Sequence, residues 1–271
     1  MNTVPAGYGW NWVVTGFALF RRNPAMWAFL VFAYIMLMQL LGMIPVLGWF
    51  AATVLIPAFS ASFMIVSREL DQGRKIGFGL LFSGFRANLP VLLRQGGLYL
   101  ASALAILGLS ALVDGGRLLQ LMVLGERPPA SAFEDGSLAG AAVLAGTLYL
   151  PVLAAFWFAP ALTAWRNLPA LQALFYSFFA ALRNWRAFLT YSLALVLLSL
   201  ICSFALFMLA LLVRALLGNK AQDALMLVVL PVMLTYVPTL FASFYASYRD
   251  IFPEPNAETA AEAAVIAEES K

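Results

Sequence analysis

Histidine is absent from this chain of 271 residues, cysteine occurs once, and charged residues make up only 11%. Thiol or imidazole metal centres, disulfides and histidine bases are thereby excluded. The single thiol, Cys202, lies in an apolar run, where a lone cysteine serves as a small packing residue. No carboxylate falls inside any long apolar run: Asp71, Asp114, Asp223 and Asp250 stand at run ends or in loops. Proton-coupled carriers, pumps and many intramembrane enzymes place ionisable groups at mid-membrane depth, at a cost of about 3 kcal/mol or more. Walker loops, HExxH and GxSxG are missing as well. These absences predict a protein that is not an enzyme and carries no cofactor and no metal. The opening MNTVPAGYGW lacks the basic region, apolar core and small-residue cleavage site of a removable signal, so the first span is expected to stay as an anchor.

What the chain has in excess is apolar surface. Hydrophobic residues reach 63% and the mean hydropathy is +0.89, against a globular norm of roughly half apolar and a quarter charged. Crossing about 30 Å of hydrocarbon takes about 20 residues at 1.5 Å rise. Runs of about that length occur near 26–44, 46–66, 97–113, 138–162, 187–213 and 224–246. A barrel would show short alternating segments, so the spans are expected to be helices. The predicted fold class is all-α: a polytopic membrane protein with six transmembrane helices and about three amphipathic interfacial helices. The first two spans form a hairpin through GMIPVLG, a short uncharged turn. Pro57, Pro151, Pro160, Pro231 and Pro238 all fall in returning spans and are expected to kink them.

Of the sixteen Lys and Arg, twelve fall on one side of the six-span arrangement and four (Arg117, Arg127, Arg214 and Lys220) on the other. The positive-inside rule then predicts a bacterial inner-membrane protein with both termini cytoplasmic. A pI near 9.1 follows from that asymmetry. No nucleic-acid partner is implied. Beyond Phe252 the composition turns to Ala and Glu, predicting a disordered acidic cytoplasmic tail over 253–271. The loop 114–137 is expected to extend the third span or form a short interfacial helix on the external side.

FALFRR, from Phe17 to Arg22, is echoed by FSGFRA from Phe82 and FAALRN from Phe179. Each motif closes a segment with apolar side chains at helical spacing: Trp10, Trp12, Val13, Phe17 and Phe20; Phe78, Leu81, Phe82 and Phe85; Leu171, Leu174, Phe178 and Leu182. Polar residues follow at Asn23, Asn88 and Asn184, and a span begins after each. The pattern suits helices lying in the headgroup region with arginine reaching back to phosphates. The returning spans echo one another too, in PAFSASFMIVSR from Pro57 and PTLFASFYASYR from Pro238, with PALTAWR from Pro160 a shorter relative. Three parallel repeats of surface helix plus hairpin are predicted, over about 8–75, 76–166 and 167–252. Juxtamembrane arginines and aromatics also serve plain anchoring in most multi-span proteins.

The residues expected to meet lipid headgroups are Arg21, Arg22, Asn23, Arg68, Arg86, Asn88, Arg183, Asn184 and Arg249. The N-terminal TVPAGYGWNWVVTGFALFRRNP, the hairpin GMIPVLG and the return VLIPAFSASFMIVSRELDQGR resemble an uncharacterised family of proteobacterial six-span inner-membrane proteins. More distantly, surface helix plus hairpin is similar to the membrane domain attached to some glycerophosphodiester phosphodiesterases and to the YciC-like proteins. The resemblance implies location and architecture and carries no catalytic residue. The expected function is non-enzymatic: binding of anionic phospholipid or a protein partner through the basic surface helices, with a homo-oligomer open. A small permease for a lipidic or apolar solute and an accessory subunit of a membrane complex are the alternatives.

Overall fold

The computed structural model describes residues 1–45, 47–126, 131–217 and 221–253. Its helices are α1 (Tyr8–Arg22), α2 (Pro24–Gly42), α3 (Leu47–Asp71), α4 (Leu89–Asp114), α5 (Arg117–Leu119), α6 (Ser131–Glu134), α7 (Ser137–Trp157), α8 (Ala159–Arg166), α9 (Ala170–Arg183), α10 (Trp185–Leu217) and α11 (Ala221–Ile251). Two 3-10 turns, Phe78–Phe82 and Gly84–Arg86, precede α4, and a π turn, Gln120–Leu124, follows α5. No strand occurs among the described residues.

Local chemistry sets these boundaries. The Asn23 side chain accepts from the Met26 N–H at 3.2 Å while Pro24 opens α2, so cap and imino acid occupy the places where helix amides lack partners. Gly115, at φ 68°, ends α4 in the left-handed conformation that suits glycine. In the α2–α3 hairpin a Cβ on Gly48 would overlap the Leu41 carbonyl, so only glycine lets the arms close this tightly.

Six helical segments are long and apolar enough to cross a membrane: Pro24–Gly42, Leu47–Asp71, Leu89–Asp114, Ser137–Arg166, Trp185–Ala215 and Val229–Ile251. They answer the six predicted runs. The third begins at Leu89 rather than near 97 because its polar entry is paired: Gln95, fully buried, donates to the Ala159 carbonyl at 3.2 Å and to Thr163 Oγ1 at 2.8 Å. Prolines 57, 151, 231 and 238 lie inside α3, α7 and α11. Pro160 instead stands at the start of α8, where the fourth span breaks at Phe158. Ser177 of α9 fills that break, accepting from the Phe158 N–H at 2.9 Å and donating to the Ala154 carbonyl at 2.8 Å. A side chain from a neighbouring helix thus completes a ladder that proline interrupts.

Two expectations about the surface segments need correction. The segment holding Phe78, Leu81, Phe82 and Phe85 is a pair of 3-10 turns and not an amphipathic α-helix. Gly77, Gly79 and Gly84 interrupt it, each costing about 1 kcal/mol in an α-helix interior. The apolar set expected to share one face of α1 is split. In α1, Gly9, Trp12, Val13, Gly16, Leu19 and Phe20 are buried while Trp10 and Phe17 point outward. In α9 the inward side is Ala170, Ala173, Ser177, Ala180 and Ala181, and Leu171 and Leu182 are exposed. In α9 small residues pack and bulky ones face out, as in helix packing within lipid, where close backbone approach drives association.

The core has two main clusters. One gathers Trp12, Phe158, Leu162, Tyr191, Tyr248 and Phe252; the other gathers Leu19, Trp27, Leu30, Phe59, Phe63 and Tyr245. Between them α1 crosses α11, where a Cβ on Gly16 would overlap the Thr239 carbonyl and the Ser243 backbone. The predicted tail, Pro253 apart, lies outside the described residues.

Candidate functional site

One end of the bundle collects most of the arginines. The chain start is fastened there, since Asn2 N–H donates to the Ile251 carbonyl at 2.7 Å and Val4 N–H to Asn184 Oδ1 at 2.8 Å. Asn184 Nδ2 returns bonds to the Asn2 carbonyl at 3.1 Å and the Ala180 carbonyl at 2.9 Å. The far end of α1 is tied to the same face: Arg22 donates to the Leu70 carbonyl at 2.5 Å and the Asp71 carbonyl at 3.1 Å. Trp12, fully buried in α1, donates its indole N–H to Asp250 Oδ2 at 3.0 Å. Helix α1 therefore runs along this face, with both ends held at the termini of other helices.

The last turns of the three returning spans are linked in a closed cycle. Arg249 of α11 donates to Asp71 Oδ2 of α3 at 2.9 Å. Arg68 of α3 lies 5.3 Å from the Trp165 ring of α8. Arg166 of α8 lies 5.4 Å from the Phe252 ring, just past α11, and donates to the Pro253 carbonyl at 3.3 Å. Each arginine reaches the next span, as a salt bridge in one case and by cation–π contact in the others. Asp71 also accepts from the Tyr245 hydroxyl at 3.1 Å. A cavity of about 320 Å³ opens beside this cycle, lined by Arg68, Asp71, Trp165, Tyr245, Tyr248 and Arg249 among others.

The predicted headgroup residues do not form one cluster. Arg22, Arg68 and Arg249 join at the Asp71 cycle. Asn23 is a helix cap, Asn184 fastens the chain start, and Asn88 Nδ2 donates to Asn167 Oδ1 at 3.1 Å, linking two loops. Arg21, Arg86 and Arg183 are exposed and have no acidic partner among the described residues. Arg21 lies 6.0 Å from the Phe17 ring, and Arg183 donates to Thr3 Oγ1 at 3.5 Å. Sequence reasoning missed Asp71, Trp165 and Tyr245. Asp71, a carboxylate one turn beyond Arg68 at a basic border, was the available signal.

At the other end, Arg117 donates to Asp135 Oδ2 at 3.0 Å and to the Ser137 hydroxyl at 2.9 Å. The side-chain and backbone donors of Ser137, then Arg117, bring the Asp135 carboxyl down from 3.8 to about 2. Arg74, in the loop after α3, binds both carboxylate oxygens of Glu69 through Nε and Nη2, and that bond raises its pKa.

Six apolar crossing helices with an arginine-laced end define an α-helical polytopic membrane protein. The chain is 40% identical over 262 residues to a probable inner membrane protein of Burkholderia thailandensis, covering 94% of this chain and 95% of the relative. It belongs to the family of that protein. No known family profile matches the chain. No solved structure matches it either.

Proposed function

We propose that this is a non-enzymatic inner-membrane protein whose arginine-rich face lies in the cytoplasmic leaflet and holds anionic phospholipid headgroups. The observation that carries this reading is the division among the arginines. Arg22 and Arg249 are engaged by Asp71, whereas Arg21, Arg86 and Arg183, the three echoed positions, are exposed with no carboxylate partner among the described residues. An unpaired guanidinium beside exposed apolar side chains is the arrangement that recruits phosphate, at about 1 kcal/mol for each basic residue near an anionic surface. The relative's description as an inner-membrane protein supports the location. The twelve-to-four bias of basic residues supports cytoplasmic termini.

The same reading takes the chain as three parallel units, about 8–75, 76–166 and 167–252. Support comes from the cycle Arg249 to Asp71, Arg68 to Trp165 and Arg166 to Phe252, in which each returning span uses its terminal arginine to reach the next.

Native mass spectrometry of protein released from membranes of equal phosphatidylglycerol and phosphatidylcholine content tests the function. The expected result is preferential retention of phosphatidylglycerol, reduced in the triple variant Arg21→Ala, Arg86→Ala, Arg183→Ala. Equal retention of the two lipids by the wild-type protein refutes the reading.

A further inference from the structure

A cavity of about 580 Å³ lies away from the arginine cycle, between α1, α10 and α11. Val14 and Phe17 of α1, Leu198 and Cys202 of α10, and Pro231 and Tyr236 of α11 contribute to its walls. Its shape follows from the packing already described. Gly16 draws α1 against α11 at Thr239 and Ser243, so Val14 and Phe17, on the flank of α1, stand over open space. Helices α10 and α11 meet through two hydroxyl pairs, Tyr191 with Ser243 at 2.6 Å and Ser199 with Tyr236 at 2.7 Å.

The hydroxyls in the wall are already engaged. Thr235 donates to the Pro231 carbonyl at 2.9 Å, Thr239 to the Thr235 carbonyl at 2.8 Å, and Tyr236 is held by Ser199. A polar solute would have to break these bonds, whereas an aliphatic chain needs none of them. The volume is within the roughly 300–1,000 Å³ of sites that take a small ligand. Charge marks one edge of the cavity. Arg21 follows Phe17 by one helical turn, about 6 Å of rise, on the same flank. Its guanidinium lies 6.0 Å from the centroid of the ring that lines the cavity, and no described carboxylate neutralises it. An apolar slot edged by an aromatic ring and a free cation complements a chain joined to an anion.

We propose that this cavity seats one acyl chain of an anionic phospholipid, with the lipid phosphate on Arg21. The proposal rests on the lipid reading above and assigns that reading a particular place.

Full-length protein is reconstituted with phosphatidylglycerol or phosphatidylcholine carrying a diazirine in the acyl chain, irradiated, and the crosslinked peptides are mapped. Crosslinks in the Leu198–Cys202 and Pro231–Thr239 peptides are expected to be about fivefold more frequent with phosphatidylglycerol, corresponding to about 1 kcal/mol for one arginine. Arg21→Ala abolishes that preference, and Arg94→Ala, on the remote helix α4, leaves it intact. Cys202→Trp, which narrows the cavity, reduces these crosslinks while native mass spectrometry still finds phosphatidylglycerol bound elsewhere. Equal crosslinking by the two lipids, or a preference indifferent to Arg21→Ala, overturns the proposal even where bulk phosphatidylglycerol retention stands. Loss of bulk retention in the wild-type protein refutes the function reading instead. Cys202 is the chain's single thiol. A Cys202 disulfide dimer forming efficiently under mild oxidation in the bilayer would place a second copy in the cavity, and that too overturns the proposal.

Discussion

Replacing Ser177 by alanine isolates the energetics of the broken fourth span. The hydroxyl accepts from the Phe158 N–H at 2.9 Å and donates to the Ala154 carbonyl at 2.8 Å, and Ser177 is fully buried. Alanine leaves a backbone donor and a backbone acceptor unmatched inside the bundle. Each orphaned buried group costs about 1–3 kcal/mol in mutational series, whereas side-chain hydrogen bonds within membranes average only about 0.6 kcal/mol, because alternative partners are found. The decisive question is whether Phe158 N–H can reclaim Ala154 directly, as an unbroken helix would. Two features oppose it. Pro160 offers no N–H, and its ring disfavours a straight helix through this turn. The Phe158 side chain is fully buried, with its ring 5.9 Å from Phe188 and 5.4 Å from Phe252, so straightening the helix would dislodge it. Ser177→Ala is therefore expected to destabilise by about 2 kcal/mol, toward the loss of one unreplaced partner at each group. Reversible unfolding in mixed detergent and SDS micelles, followed by circular dichroism, measures it, with Ser177→Thr as the variant that keeps the hydroxyl. A Ser177→Ala protein as stable as wild type, with Ser177→Thr the weaker of the two, would show that the ladder heals itself and that the inserted hydroxyl is incidental.

Gly16→Leu is expected to cost about 1–3 kcal/mol or more by forcing α1 off α11, whereas Gly42→Leu, with open space around its Cβ, changes little in the same titration; equal losses would count against the close crossing. For Asp71 and Arg249 a double-mutant cycle is expected to give a coupling of about 0.2–1 kcal/mol, because the arginine side chain is 43% exposed and water screens it; zero coupling at low salt would remove the salt bridge as a link in the cycle. Arg22→Ala should lower stability and leave phosphatidylglycerol retention unchanged, since that side chain is spent on the Leu70 and Asp71 carbonyls; a loss of lipid without a loss of stability contradicts this. The Asp135 carboxyl, depressed from 3.8 to about 2, supports the folded loop fully above about pH 4 and loses that support as pH falls through 2. Carboxyl NMR titration of Ser137→Ala should move the midpoint upward, and an unmoved midpoint would rule out Ser137 as the main cause.

The six crossings were legible because hydrocarbon thickness imposes a length and lipid imposes a composition, and both are local properties of the chain. The proline-bearing returns were legible for the same reason. The inward faces of α1 and α9 were not. Hydrophobic periodicity marks the buried face of a helix in water, but in lipid the outside is apolar too, and on α9 the inward face is the one of small residues. Ala173, Ser177 and Ala180 are the packing residues of α9, and a hydrophobicity pattern gives them little weight. Distance in sequence hid the rest. Asp71 and Arg249 are separated by 178 positions, and Gln95 and Thr163 by 68. Nothing in either neighbourhood marks its partner.

The paired arginines of FALFRR show how far a short motif can divide. Adjacent residues on an α-helix point about 100° apart, since 3.6 residues complete a turn. On α1 that angle falls at the edge between protein and lipid. Leu19 and Phe20 are turned inward, and Arg22 continues toward the end of α3, where carbonyls and Asp71 await it. Phe17 and Arg21 belong to the other flank, one ring and one guanidinium looking away from the bundle. In the other two occurrences of the motif a single arginine remains, at Arg86 and Arg183, and both are exposed with no carboxylate partner among the described residues. The position shared by all three copies is thus the outward one, and the extra arginine of the first copy is the one the fold consumes. That outward position, on which the lipid proposal rests, keeps a guanidinium at the surface while Arg22 is drawn into the fold.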